Sequence, residues 1–98
     1  MELIKKTTEN KVDIVRAVNT TKSLQNFTDT KLTLRGAIIF KEDDSENTVT
    51  SLKVSDETGE TFFINSISET VRKSAEAFID AFDNNDFEEG LPLKIVEN

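Results

Sequence analysis

Residues 31–41, Lys-Leu-Thr-Leu-Arg-Gly-Ala-Ile-Ile-Phe-Lys, constrain this chain more than any other segment. Leu32, Leu34, Ile38 and Phe40 recur at every second position, the period of a strand and not of a helix, so they are expected on one face. Gly36 interrupts that face. A glycine inside a strand marks a bend or bulge, which small barrels use to carry a long first strand from one sheet into the next. After a polar loop at 42–47, a second strand is expected over Thr48–Ser55, with Leu52 and Val54 inward. A third follows over 61–65, carrying Phe62, Phe63 and Ile64. Thr58-Gly59 between them suits a tight hairpin turn, because glycine accepts positive φ.

The period changes after Ser66. Ser66-Ile67-Ser68-Glu69 fits a capping box, and Val71, Ala75, Phe78 and Phe82 then share one helical face. Asp83-Asn84-Asn85-Asp86 stops this helix, and residues 91–96 resume alternation with Leu91, Leu93 and Ile95 on one side. Upstream, the β-branched alternation of residues 13–18 predicts a first, edge strand. Asn19 or Thr20 then caps a short helix through Phe27, with Leu24 and Phe27 three apart on one side. The expected fold is α+β in a single domain over 1–98. Its three-stranded antiparallel meander, helix and returning strand form an OB-like small barrel or curved sheet whose final barrel strand is not visible.

Composition narrows function. Cysteine, histidine, tryptophan and tyrosine are all absent, which removes the nucleophilic thiol, the usual soft metal ligands and the commonest general base near neutrality. No nucleophile, P-loop or dinucleotide motif is present, so the chain is expected to bind and not to catalyse, with no cofactor and no metal. Stability has to come from packing without disulfides, which suits a reducing cytoplasm. No apolar stretch approaches the roughly 20 residues that cross a bilayer, and residues 1–6 are too short and polar for a signal peptide.

The formal charge of −7 is unevenly distributed. Lys5, Lys6, Lys11, Arg16, Lys22, Lys31, Arg35 and Lys41 face four acidic residues over 1–41, whereas beyond Lys41 four basic residues face fifteen acidic ones. A basic N-terminal segment on an acidic body gives a polyanion a preferred side to approach, provided the fold keeps those groups on one surface. On the long strand, the face opposite the aliphatic one carries Thr33, Arg35, Ala37, Ile39 and Lys41; with unbroken parity Ser51, Lys53, Phe63 and Asn65 join it. An aromatic among cations is what a single-strand-binding surface needs, since a ring stacks on any base while Lys and Arg follow the phosphates. Arg35, Lys41, Lys53, Phe63 and Lys31 are therefore the candidate nucleic-acid-binding residues. The competing expectation is that Phe62 and Phe63 are both buried because the sheet is covered on both sides.

Residues 14–24, 32–39, 59–62 and 68–74 together resemble the small single-stranded-DNA-binding proteins of phages and mobile elements of Gram-positive bacteria. The quoted stretches are Ile-Val-Arg-Ala-Val-Asn-Thr-Thr-Lys-Ser-Leu, Leu-Thr-Leu-Arg-Gly-Ala-Ile-Ile, Gly-Glu-Thr-Phe and Ser-Glu-Thr-Val-Arg-Lys-Ser. The resemblance implies an OB-like barrel that coats single strands during replication, without sequence specificity. Two features depart from it: the strand that usually follows a Gly/Lys-rich turn is not seen after residue 98, and cations on the binding face are few. An open strand edge would invite a homodimer or a partner's strand. The departures leave room for an alternative from another class, a small acidic phage-type inhibitor of DNA-mimic or anti-defence (anti-CRISPR-like) kind. Its carboxylates Asp80, Asp83, Asp86, Glu88 and Glu89 would present a phosphate-like field to a basic host nucleic-acid enzyme. A third expectation is an assembly protein that oligomerises through the open edge.

Overall fold

A computed structural model describes residues 2–7, 14–20, 22–43, 46–84 and 91–93. The elements are β1 (Glu2–Lys6), α1 (Ile14–Asn19), a single 3-10 turn (Leu24–Phe27), β2 (Leu32–Lys41), β3 (Thr48–Ser55), β4 (Thr61–Ser66), α2 (Glu69–Asn84) and β5 (Leu91–Leu93). The strands form one open antiparallel sheet, so the chain is an α+β protein. The ten-residue β2 organises it. One edge of β2 pairs with β3 along most of its length, and β4 lies beyond β3. The other edge is shared by β5, opposite Leu32–Leu34, and β1, opposite Ile38–Lys41.

The bend foreseen at Gly36 is present as a bulge. Leu34 pairs with Val54 and Gly36 with Lys53, leaving Arg35 as the extra residue. One inserted residue exchanges the faces of everything after it. Leu32 and Leu34 therefore share a face with Ala37 and Ile39, packed with Leu52, Val54, Phe62 and Ile64 beneath Ala75, Phe78 and Ile79 of α2. Ile38 and Phe40 point the other way, with Val49 and Phe63 beneath Ala17 of α1. The single aliphatic face expected for Leu32, Leu34, Ile38 and Phe40 is thus corrected to two half-faces serving two cores.

Two N-terminal expectations are also corrected. Residues 14–19 form the helix α1 instead of a strand, because six residues of β-branched alternation are a weak signal once the alternative is burial of Ala17 against Phe40 and Phe63. The first strand is Glu2–Lys6, whose polar sequence carries no clear alternation. The helix expected through Phe27 is reduced to the 3-10 turn, although Leu24 and Phe27 do pack together on the α2-side core. At the start of α2 the cap is shifted. The Ser68 hydroxyl accepts from the Val71 N–H at 3.4 Å, while Ser66 accepts from the Ser68 N–H at 3.1 Å, so Ser68 and not Ser66 holds the N-cap position. Val71, Ala75 and Phe78 share the core face as expected, joined by Ile79; the Phe82 side chain and residues 94–96 lie outside the described residues.

The β3–β4 turn is built by one carboxylate. Asp56 accepts from the Thr58 hydroxyl at 2.6 Å, the Thr58 N–H at 2.9 Å and the Glu60 N–H at 3.1 Å, and Gly59 adopts φ 87°. The Thr58 hydroxyl leads the stabilisation of the charged form, assisted by these N–H groups, and holds Asp56 below the ordinary aspartate value of 3.8. A group with a depressed folded pKa adds stability above its unfolded value and loses it as pH falls through the folded one. A carboxyl NMR titration is accordingly expected to place Asp56 below 3.8, and Asp56→Asn should narrow the stability gap between neutral pH and pH values under that point. Gly59→Ala meets no neighbour within 4 Å, so its expected cost of about 1–2 kcal/mol in urea unfolding is backbone strain alone, and Gly59→Asn should cost less.

Candidate nucleic-acid interface

The face of the sheet under α1 is only partly covered. Over Ile38, Phe40, Val49 and Phe63 the helix closes it; toward the β3–β4 turn it carries Thr33 and Arg35 of β2, Lys53 and Ser55 of β3, and Thr61 of β4. The bulge is what directs Arg35 here. Its Nε donates to the Ser55 hydroxyl at 3.1 Å, which fixes the guanidinium over the strand that also presents Lys53. Lys53 lies directly across from Gly36 on one side and Phe63 on the other. Arg16 completes the group from α1: its Nη2 donates to the Thr61 carbonyl at 3.2 Å, and its guanidinium carbon stands 5.7 Å from the centre of the Phe63 ring.

Of the sequence-derived candidates, Arg35, Lys53 and Phe63 are therefore brought to one face. Lys31, exposed, immediately precedes β2 at the same end. Lys41 is not part of the group, since it ends β2 at the far side of the sheet, opposite Thr48 and Glu2, and follows Ile39 in facing α2. Phe63 is in place but is only 2% exposed. The expectation that it offers an open ring is corrected: α1 covers it, as the alternative of a sheet covered on both sides foresaw. Phe62 faces the other core, stacked on Phe27 at 5.0 Å between ring centres, with the Lys22 ammonium 4.0 Å from its own centre.

The outer edge of β4 is closed by the segment around Arg16. Besides the Arg16 bond to Thr61, the Thr20 hydroxyl donates to the Phe63 carbonyl at 3.1 Å, and the Asn65 N–H donates to the Lys22 carbonyl at 3.0 Å. An edge with its carbonyls and N–H groups engaged is a poor template for another strand. On the other side, β1 is outermost and bears Leu3 and Ile4 exposed. Sequence reasoning missed Arg16 because it assigned residues 13–18 to a strand; nothing local marks that arginine, and only the packing of Ala17 aims it over Phe63.

The acidic cluster is less visible. Residues 85–90 lie outside the described residues, as does the side chain of Asp83. Asp80 pairs with Lys5, and Glu69 and Glu76 are engaged by Arg72 and Lys73. Among the described residues no group of carboxylates is arranged to hold a metal ion, and no helix is long and apolar enough to cross a membrane. Scans against family models, curated proteins and solved structures each return no match to this chain.

Buried under α1, Phe63 is structural in the first instance. Phe63→Ala is expected to cost about 3–5 kcal/mol, the usual range for emptying a core aromatic site, read as a lower urea midpoint. A loss under 1 kcal/mol would place the ring at the surface instead.

Proposed function

We propose that this chain binds single-stranded DNA without sequence specificity, at the end of the α1-side face toward the β3–β4 turn, in the DNA metabolism of a phage or mobile element. The observation that carries the proposal is the convergence of Arg35, Lys53 and Arg16, from three different elements, on one patch that also carries the half-buried Thr33. Phosphates are held by such side chains whatever the sequence of bases. The order of a long strand bent at Gly36, two further strands, a helix and a strand returning to pair with the first supports an OB-like description, with β1 and α1 as additions to it. The resemblance to single-strand-binding proteins points the same way. The acidic-inhibitor alternative gains no such observation: of its carboxylates Asp80 pairs with Lys5, and the side chains of Asp83, Asp86, Glu88 and Glu89 lie outside the described residues.

The test is fluorescence anisotropy of a labelled oligothymidine, with duplex of equal length as control. Saturable binding that prefers the single strand is expected, with a log–log salt slope of about −2 for three phosphate contacts. Arg35→Glu with Lys53→Glu removes two charge-assisted contacts of about 1.5–3 kcal/mol each, so affinity should fall by roughly 100-fold or more in a variant that still unfolds cooperatively in urea. Undiminished affinity in that variant would remove the proposed surface from consideration.

A further inference from the structure

A cationic patch explains contacts to phosphate but leaves open what meets the bases, since among the described residues the aromatics on this face, Phe40 and Phe63, are both buried. Resting on the single-strand reading above, we infer that Arg16 is the group on which a base stacks, its guanidinium plane taking the role that an exposed ring would have, and that Phe63 is the residue that positions it. Three observations converge. Arg16 is exposed while Phe63 beneath it is 2% exposed, so the guanidinium lies between the ring and solvent. The separation of 5.7 Å is within the roughly 6 Å over which a ring attracts a cation. The bond from Nη2 to the Thr61 carbonyl fixes a second direction, so a side chain that is ordinarily mobile is held at two points.

Such a group suits an unpaired base. Guanidinium planes stack on splayed-out bases in single-stranded recognition, and this one stands next to Lys53, the cross-strand neighbour of Phe63, which can take the adjoining phosphate. Duplex bases, already stacked on each other, have no free face to offer. The ligand class is therefore a single strand with at least one unstacked base over α1, its backbone running toward Arg35.

Arg16→Lys separates stacking from charge, because lysine keeps the charge and loses the plane. Two ligands are titrated at equal ionic strength: an oligothymidine and the same length of abasic deoxyribose-phosphate. Arg16→Lys is expected to weaken oligothymidine binding by roughly 10-fold, in the range of one lost base contact, while leaving the abasic affinity and the salt slope unchanged. Phe63→Leu, which keeps apolar volume, should weaken oligothymidine binding in the same selective way. Equal losses on both ligands would make Arg16 a structural or purely electrostatic residue and overturn the inference, as would an Arg16→Lys variant indistinguishable from wild type. In either case single-strand binding itself would stand. Failure of the wild-type protein to bind the oligothymidine at all would remove both proposals.

Discussion

The bulge at Arg35 sets the rest of the molecule. Without the inserted residue, Leu32, Leu34, Ile38 and Phe40 would share one face of β2, and Ala37 and Ile39 would stand among Thr33, Arg35 and Lys41 on the other. With it, the strand serves two cores in succession, Leu32 and Leu34 with Ala37 and Ile39 under α2, then Ile38 and Phe40 under α1. A sheet with apolar patches on both faces needs cover on both, and α1 supplies it where α2 cannot reach. A six-residue helix has little stability of its own; it exists because Ala17 seals Phe40 and Phe63. The same residue that causes this division is the arginine pointing out of it, beside Lys53.

The adjacent pair Phe62 and Phe63 shows how both covers are tied to one strand. Successive strand residues point to opposite faces, so Phe62 enters the α2-side core and Phe63 the α1-side core. Each ring has a cation over it from the chain that follows or includes α1, Lys22 on Phe62 and Arg16 on Phe63. Between these contacts, Thr20 and the Lys22 carbonyl bond the β4 backbone. Through Arg16, Thr20 and Lys22 the chain thereby straps the sheet edge, and the cation of the candidate interface is held on a frame of backbone bonds. Part of the buried surface is polar: Ser51 Oγ and Asn65 Oδ1, opposite one another on β3 and β4, have no hydrogen-bond partner among the described residues, an arrangement that costs stability and fits a face covered by a short helix.

Legibility in the sequence followed the length of each periodic signal. α2 and the meander β2–β3–β4 were readable because they hold a period over many residues, and Gly36 and Gly59 were readable because glycine marks backbone demands. What could not be read was the direction of side chains beyond Gly36. Ile38 and Phe40 continue the even-numbered series of Leu32 and Leu34, so alternation alone gave no sign that Arg35 would be left out of register. That single shift moved Phe40 to the α1-side core and Lys41 to the α2 side. Lys53 and Phe63 did share a face, because β3 and β4 have no bulge between them. β1 and α1 were misjudged for a related reason: five or six residues carry too little periodicity to outweigh tertiary contacts that sequence does not display.

Electrostatics then favours contact over attraction at a distance. A chain of net charge −7 repels a polyanion at long range, and Glu57 and Glu60 lie exposed on the turn beside Ser55 and Thr61. At physiological ionic strength, however, charges farther apart than about 8 Å are largely screened, so a polyanion at the candidate interface would meet chiefly the side chains it touches. Asp56, committed to its turn by Thr58 and Glu60, is directed into backbone donors and not across the patch. A few cations held by the bulge and by the strap can therefore decide the sign of the interaction locally against the charge of the whole, which is why the position of Arg35, Lys53 and Arg16 carries more information about this chain than its isoelectric point does.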